Sequence, residues 1–295
     1  MPQILVNKLD RYMDFFYGYL ILKAYIFKLR FNEDYFNLDY LAKWKEYFEE
    51  TNFGDLIHVA CCYMEEEVDG KILDIAEVME RASYFAMIHP DHPNITLGFV
   101  KDADLWNLWL ENGIYKYARK IISEICRIGN GDKVLDFGCG SASPHFYSEL
   151  VGEYGFYAGI DYSRPLLRIA KLNCKEKSLV DRVRLIQGFA ESKIEFTRGY
   201  DIAVISSILE YTDVRAVMRN AINALGGEGK IVLFSELFRD IESEREKLFE
   251  LYFSLIPNFR RFPAVDELAH YLDSSDISYR LKIHGKHFVV IDVSR

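Results

Sequence analysis

The segment KVLDFGCGSASPHF, from Lys133 to Phe146, holds the densest set of residues able to meet a small ligand. Val134, Leu135 and Phe137 flank Asp136 in an apolar run that reads as a buried strand. Gly138 and Gly140 follow, permitting a tight turn and close approach of backbone to ligand. Ser143 can cap the next helix and Pro144 suits its first turn, so the helix N-terminus can meet a polar or carboxylate-bearing group. A second apolar run, FYAGIDYS, ends at Asp161, 25 residues after Asp136. A carboxylate there can accept both hydroxyl hydrogens of a ribose.

The spacing lacks the GxGxxG expected for a nicotinamide cofactor. It resembles instead the Asp-x-Gly-x-Gly motif of class I S-adenosylmethionine-dependent methyltransferases, with their acidic residue after the second strand. That resemblance places Asp136, Phe137, Gly138, Cys139 and Gly140 around the methionine part of S-adenosyl-L-methionine, Asp161 on its ribose and Tyr162 near adenine. Three further segments follow in family order: QGFAES at 187–192, YDIAVISSILEYTD at 200–213 and LGGEGKIVLFSE at 225–236. The second adds Ser206 to the cofactor side. In the first, Phe189 stands where the family often has an adenine-binding Asp, so Phe189 stacking and the Ala190 backbone are the substitutes. Ala142 replaces a frequent third glycine.

The helical N-terminal part and the later segments resemble two-domain small-molecule O-methyltransferases. The implied reaction is direct methyl transfer from a sulfonium to an acceptor oxygen, leaving S-adenosyl-L-homocysteine and requiring no metal. The resemblance also implies a homodimer. The usual catalytic His is missing: Glu210 precedes Tyr211, Thr212 and Asp213. Glu210 is the candidate base if desolvated, and equally a structural or cofactor-touching residue. His145, next to the glycine turn, is an alternative base or a packing residue. Trp106, Trp109, Tyr211 and Glu236 are candidates for the acceptor pocket, with core packing the competing role for the tryptophans. N- or C-methylation and a non-catalytic cofactor-binding or protein-interaction module are the alternatives.

The elements that must position these residues divide in two. Apolar residues at helical spacing from Leu5 to about Phe48, then over Leu56–Glu67 and Ile72–Ile88, predict helices, and a further helix runs from DLWNLWL to Ile125 with Gly113 in its middle. HPDHPN at 89–94 breaks this pattern. From residue 129 the order is strand 133–137, helix 144–152, strand 155–160, helix 164–173, strands 182–187 and 201–206, helix 213–225 and strand 230–234. Helices near 241–254 and 265–273 and a terminal hairpin about Gly285 complete it. The expected fold is α/β: a mainly helical domain over 1–125, for acceptor pocket or dimerisation, and a doubly wound, Rossmann-like methyltransferase domain over 126–295.

Composition narrows the partners. The 295 residues carry a formal charge of -9 without a basic stripe, which disfavours nucleic acid. Five cysteines without CxxC spacing fit a reducing compartment, and no HxxxH or HExxH supports a metal. No leader or membrane-spanning pattern is visible, so a cytoplasmic protein acting on a small molecule is expected. Of the 41 Phe and Tyr residues, 20 precede residue 118, together with all three Trp, which makes the N-terminal part the expected source of acceptor shape.

Overall fold

Five apolar runs of the second half become parallel strands: β1 (Lys133–Phe137), β2 (Phe156–Asp161), β3 (Val183–Gln187), β4 (Tyr200–Ser206) and β5 (Leu225–Phe234). β6 (Ser278–His284) and β7 (Phe288–Ser294) form the terminal hairpin, and β7 pairs antiparallel with β5. The sheet order is β3-β2-β1-β4-β5-β7-β6. This computed structural model describes residues 2–29, 46, 103–193, 199–254 and 258–294. The helices expected over most of 30–102, and the HPDHPN loop, lie outside the described residues.

The helices are α1 (Pro2–Leu29), α2 (Ala103–Glu111), α3 (Gly113–Cys126), α4 (Ser143–Val151), α5 (Arg164–Glu176), α6 (Val214–Ala224), α7 (Ser243–Phe253) and α8 (Val265–Asp273). α2 and α3 were expected as one helix; Asn112 instead takes an extended conformation and starts a new helix at Gly113. At the other end of the sheet region, β5 reaches back to Leu225 through LGGEG, which reads as a turn in sequence. Glu228 there pairs with Ser294, so the glycines lie in an irregular extension of the strand.

β1 and β4 are apolar on consecutive positions because helices cover both faces. Val134 points into one core with Val6, Leu9, Met13, Ile121 and Tyr147, whereas Leu135 points into the other with Val217, Met218 and Leu268. The described helices of the N-terminal part therefore share a core with the sheet. Arg245 of α7 fastens this joint, pairing with Asp14 of α1 and, at 3.0 Å, with Glu242. Among the described residues no helix is long and apolar enough to cross a membrane.

The chain leaves β1 toward β2 on one side and returns through β4 on the other. Loops at the carboxyl ends of β1 and β4 consequently diverge and open a crevice between them, the place where open α/β sheets hold ligands.

Candidate functional site

The glycine turn after β1 is tied to the end of β2. The Gly138 and Cys139 amides both donate to the Ile160 carbonyl, at 2.8 and 3.0 Å. The Gly140 amide donates to Asp161 Oδ2 at 2.8 Å, and the Ser163 amide to Asp161 Oδ1 at 2.7 Å. Asp161 thus fixes the turn and the start of α5, where Ser163 is the cap. Gly138 has φ +75°, and a Cβ there would lie 2.1 Å from Ile208 Cγ2. Gly138→Ala is therefore expected to cost about 1–3 kcal/mol, read as a fall of several degrees in Tm by scanning calorimetry.

A cavity of about 560 Å³ opens above these loops. Of the residues singled out in sequence, Gly138, Cys139, Gly140, Asp161 and Tyr162 line it from the β1 and β2 side. Phe189, Ala190 and Ser206 line its next wall, and Trp106 and Tyr211 the far one. The Tyr162 and Phe189 rings are nearly parallel, 8° apart with centroids at 5.9 Å. Asn220 Nδ2 holds the Phe189 loop by donating to the carbonyls of Ala190 at 2.7 Å and Ser192 at 2.8 Å.

Asp136, Phe137, His145, Glu210 and Glu236 do not line the cavity. Phe137 is fully buried in the core on the α6 side. Asp136 is buried behind the turn and accepts the Tyr157 hydroxyl at 2.8 Å; burial pushes its carboxyl up to about 7. His145 Nε2 lies 3.7 Å from Glu111 Oε1, and burial holds its pKa below the usual histidine range. Trp109 is in α2, with its side chain outside the described set. Ser143, read as a helix cap, is the first helical residue; Ala142 is at the cap position, without a capping side chain. Cys139 is buried and its thiol pushed up by burial, which leaves it no nucleophilic thiolate.

Glu210 and Glu236 meet beneath the far wall. Both are buried, and burial raises both carboxyls, Glu210 to about 8 with the Glu236 charge adding to the effect. Ser235 donates its hydroxyl to Glu210 Oε1, and the cavity-lining Tyr115 donates its own to Glu236 Oε1.

Sequence reading missed Arg119. It lies on α3, is 6% exposed, and lines the cavity beside the glycine turn and the start of α4. Its guanidinium stands over the Phe146 ring, 5.8 Å from the centroid, and makes no ion pair among the described residues; its Nε is buried without a hydrogen-bond partner. A signal existed: Tyr115, Arg119, Ile122 and Cys126 share one helix face, and a cation interrupts an otherwise apolar stripe. Ile208, Phe259 and Arg260 also line the cavity and carried no such signal.

Residues 128–272 match a protein family described as Methyltransferase domain. Over 212 residues the chain is 29% identical to an uncharacterized protein of Methanocaldococcus jannaschii, covering 71% of this chain and 57% of that protein. Over 168 residues it is 26% identical to the ubiquinone/menaquinone biosynthesis C-methyltransferase UbiE of Shewanella baltica, covering 56% of this chain and 64% of the relative. The chain thus spans between 57% and 64% of the length of these curated relatives. Among solved structures, the pyocyanin biosynthetic protein PhzM aligns with a TM-score of 0.55 at 16% identity, over 78% of this chain and 74% of that one. The YcgJ protein of Bacillus subtilis aligns with a TM-score of 0.50 at 15% identity, over 61% of this chain and 99% of that one.

Proposed function

We propose that this chain, whose sheet and flanking helices have the class I S-adenosylmethionine-dependent methyltransferase fold, transfers a methyl group from S-adenosyl-L-methionine to a small-molecule oxygen. The observation that carries the reading is one cavity joining the glycine turn, the carboxylate Asp161 and the cation Arg119, which makes no ion pair among the described residues.

The residues fit the cofactor part by part. A Cβ at Gly138 would lie 2.1 Å from Ile208 Cγ2 and one at Gly140 2.8 Å from Leu110 Cδ1, so glycine lets the turn close against these two cavity-lining side chains. Each Asp161 oxygen accepts one backbone amide and retains acceptor capacity for a ribose hydroxyl. Tyr162 and Phe189 offer flat apolar surface to adenine. Arg119 and the uncapped N-terminus of α4 suit the methionine carboxylate. When bound, the cofactor supplies an electrophilic methyl group on a sulfonium.

The chain's own tasks are alignment and exclusion of water, for which Trp106, Tyr115 and Tyr211 provide an apolar wall. Because Trp106 and Tyr115 belong to α2 and α3, the helices before residue 126 would shape the acceptor site. Methylation at carbon is the second reading, favoured by the likeness to a relative named as a C-methyltransferase of quinone biosynthesis. Isothermal calorimetry tests the common premise: saturable one-to-one binding of S-adenosylhomocysteine is expected, and no heat of binding from folded protein overturns it. Product analysis after turnover then separates a new O–CH3 from a new C–CH3 bond.

A further inference from the structure

The carboxyl pair beneath the far wall is an unusual thing to bury. Glu210 and Glu236 are 0% and 1% exposed, and no Lys, Arg or protonated His pairs with either among the described residues. One oxygen of each accepts a hydroxyl hydrogen; the remaining Oε2 atoms are buried without a donor. Two buried carboxylates in this arrangement are strongly unfavourable, and a proton shared between them removes both orphaned acceptors at once. Among the described residues the groups facing the pair are the Ser207, Ser235, Tyr115 and Tyr211 hydroxyls and His287, whose Nδ1 is 3.3 Å from the Ser235 carbonyl and which burial keeps neutral, with its pKa pushed down to about 3. None supplies a positive charge. The link from this pair to the cavity is Tyr115, which donates to Glu236 and lines the cavity.

We propose that Tyr115 is a catalytic residue that receives the proton of a hydroxylated aromatic acceptor, while Glu236, backed by Glu210, receives the proton that Tyr115 gives up. The proposal rests on the methyl-transfer reading and names its substrate class. Aromatic surface selects a flat ring: Trp106 tilts against Tyr115 with centroids 6.3 Å apart, and Tyr211 meets Phe259 edge-on at 6.1 Å. In the step, the acceptor oxygen forms its bond to the methyl carbon as the S–CH3 bond breaks with its electron pair on sulfur. The acceptor's O–H proton passes to Tyr115 Oη, and the Tyr115 proton passes to Glu236, so tyrosine ends neutral and the carboxyl pair ends fully protonated. Phenols are the matching acids, because burial raises both carboxyls of the pair above the ordinary glutamate range and a proton acceptor works best when its affinity approaches that of its donor.

The test uses the full chain saturated with S-adenosylhomocysteine and titrated with 4-nitrophenol and 4-nitrocatechol, whose anions absorb visible light, at a pH where each is mainly neutral in water. The bound wild-type probe is expected to show the anion band. Tyr115→Phe and Glu236→Gln are expected to reduce the bound probe's ionisation constant about tenfold or more while S-adenosylhomocysteine still binds. A probe bound in its neutral form, an anion band that persists in Tyr115→Phe, or no probe binding to the loaded protein overturns the proposal. Failure of the wild type to bind S-adenosylhomocysteine instead overturns the methyltransferase reading and this proposal with it. A second measurement needs no acceptor. The folded state keeps on Glu210 a proton that the unfolded chain releases near the ordinary glutamate value, so this group's contribution to stability falls as pH rises toward about 8. Glu210→Gln is expected to flatten that part of the stability profile, and an unchanged slope refutes the shared proton.

Discussion

Replacing Arg119 with methionine is expected to weaken S-adenosylhomocysteine binding about 10- to 100-fold and to leave 5′-methylthioadenosine, which lacks the amino-acid part, bound as before. The physical basis is the mismatch at this residue. A guanidinium that is 6% exposed and has no carboxylate partner among the described residues is costly to bury, and burial lowers its pKa from the usual arginine range. The charges acting on it, from Glu111 and Asp136, belong to side chains that form no ion pair with it. A methionine carboxylate would complete the hydrogen bonds that the fold leaves open, at a point where the uncapped start of α4 adds its own amides.

The stability change distinguishes this role from a structural one. Removing a buried, unpaired charge in favour of an apolar side chain of similar length is commonly neutral or stabilising. Arg119→Met is therefore expected to lose affinity without losing Tm, a combination that a scaffold residue does not give. Arg119→Lys, which retains the charge but not the planar fork, is expected to fall between the two. Equal losses for both ligands in calorimetry, or a collapse of Tm, reject the assignment.

Arg119 also marks where sequence stops being informative. The α/β order was readable because strand and helix leave different periods: KVLDF and YDIAVIS are continuous apolar runs, and those runs are β1 and β4. The place of Asp161 on the cavity was readable because the residue type, its position at a strand end and the preceding glycine turn coincide. Local signals also failed in local ways. Asn112 divides a helix whose apolar spacing runs through it, and LGGEG extends β5 because its partner Ser294 is about 70 residues distant, beyond any window of local pattern.

Which faces of α2 and α3 meet the glycine turn is a tertiary fact, and it decides the site. Glu210 was singled out in sequence for its carboxyl, yet it is buried away from the cavity, whereas Tyr115, a residue of the amphipathic α3, lines the cavity and donates to Glu236. A helical stripe specifies that Tyr115 and Arg119 face inward together. It does not specify that one meets a carboxyl pair and the other an open cavity.

Asp161→Asn is expected to weaken S-adenosylhomocysteine and 5′-methylthioadenosine alike, by about 100-fold, since both contain the ribose and two hydrogen bonds to a charged acceptor contribute roughly 1.5 kcal/mol each. The shared loss is the converse of the Arg119 pattern, so the same pair of ligands assigns the two residues to opposite ends of the cofactor. The pH dependence is a separate handle on the same group. Burial outweighs the two amide hydrogen bonds and lifts the Asp161 carboxyl up to about 6. Between its ordinary value and that point the folded protein holds a proton that the unfolded chain has released, so this group's contribution to stability declines as pH rises through the window. Ligand binding has the opposite requirement, because the ribose hydroxyls need the ionised form. Affinity is therefore expected to fall about tenfold per pH unit below about 6, with release of about one proton on binding, measurable by calorimetry in buffers of different ionisation enthalpy. Asp161→Asn has no proton to release, and both the acid limb and the proton release are expected to vanish in it. If they persist in the variant, another group controls the acid limb and Asp161 is not the ribose acceptor.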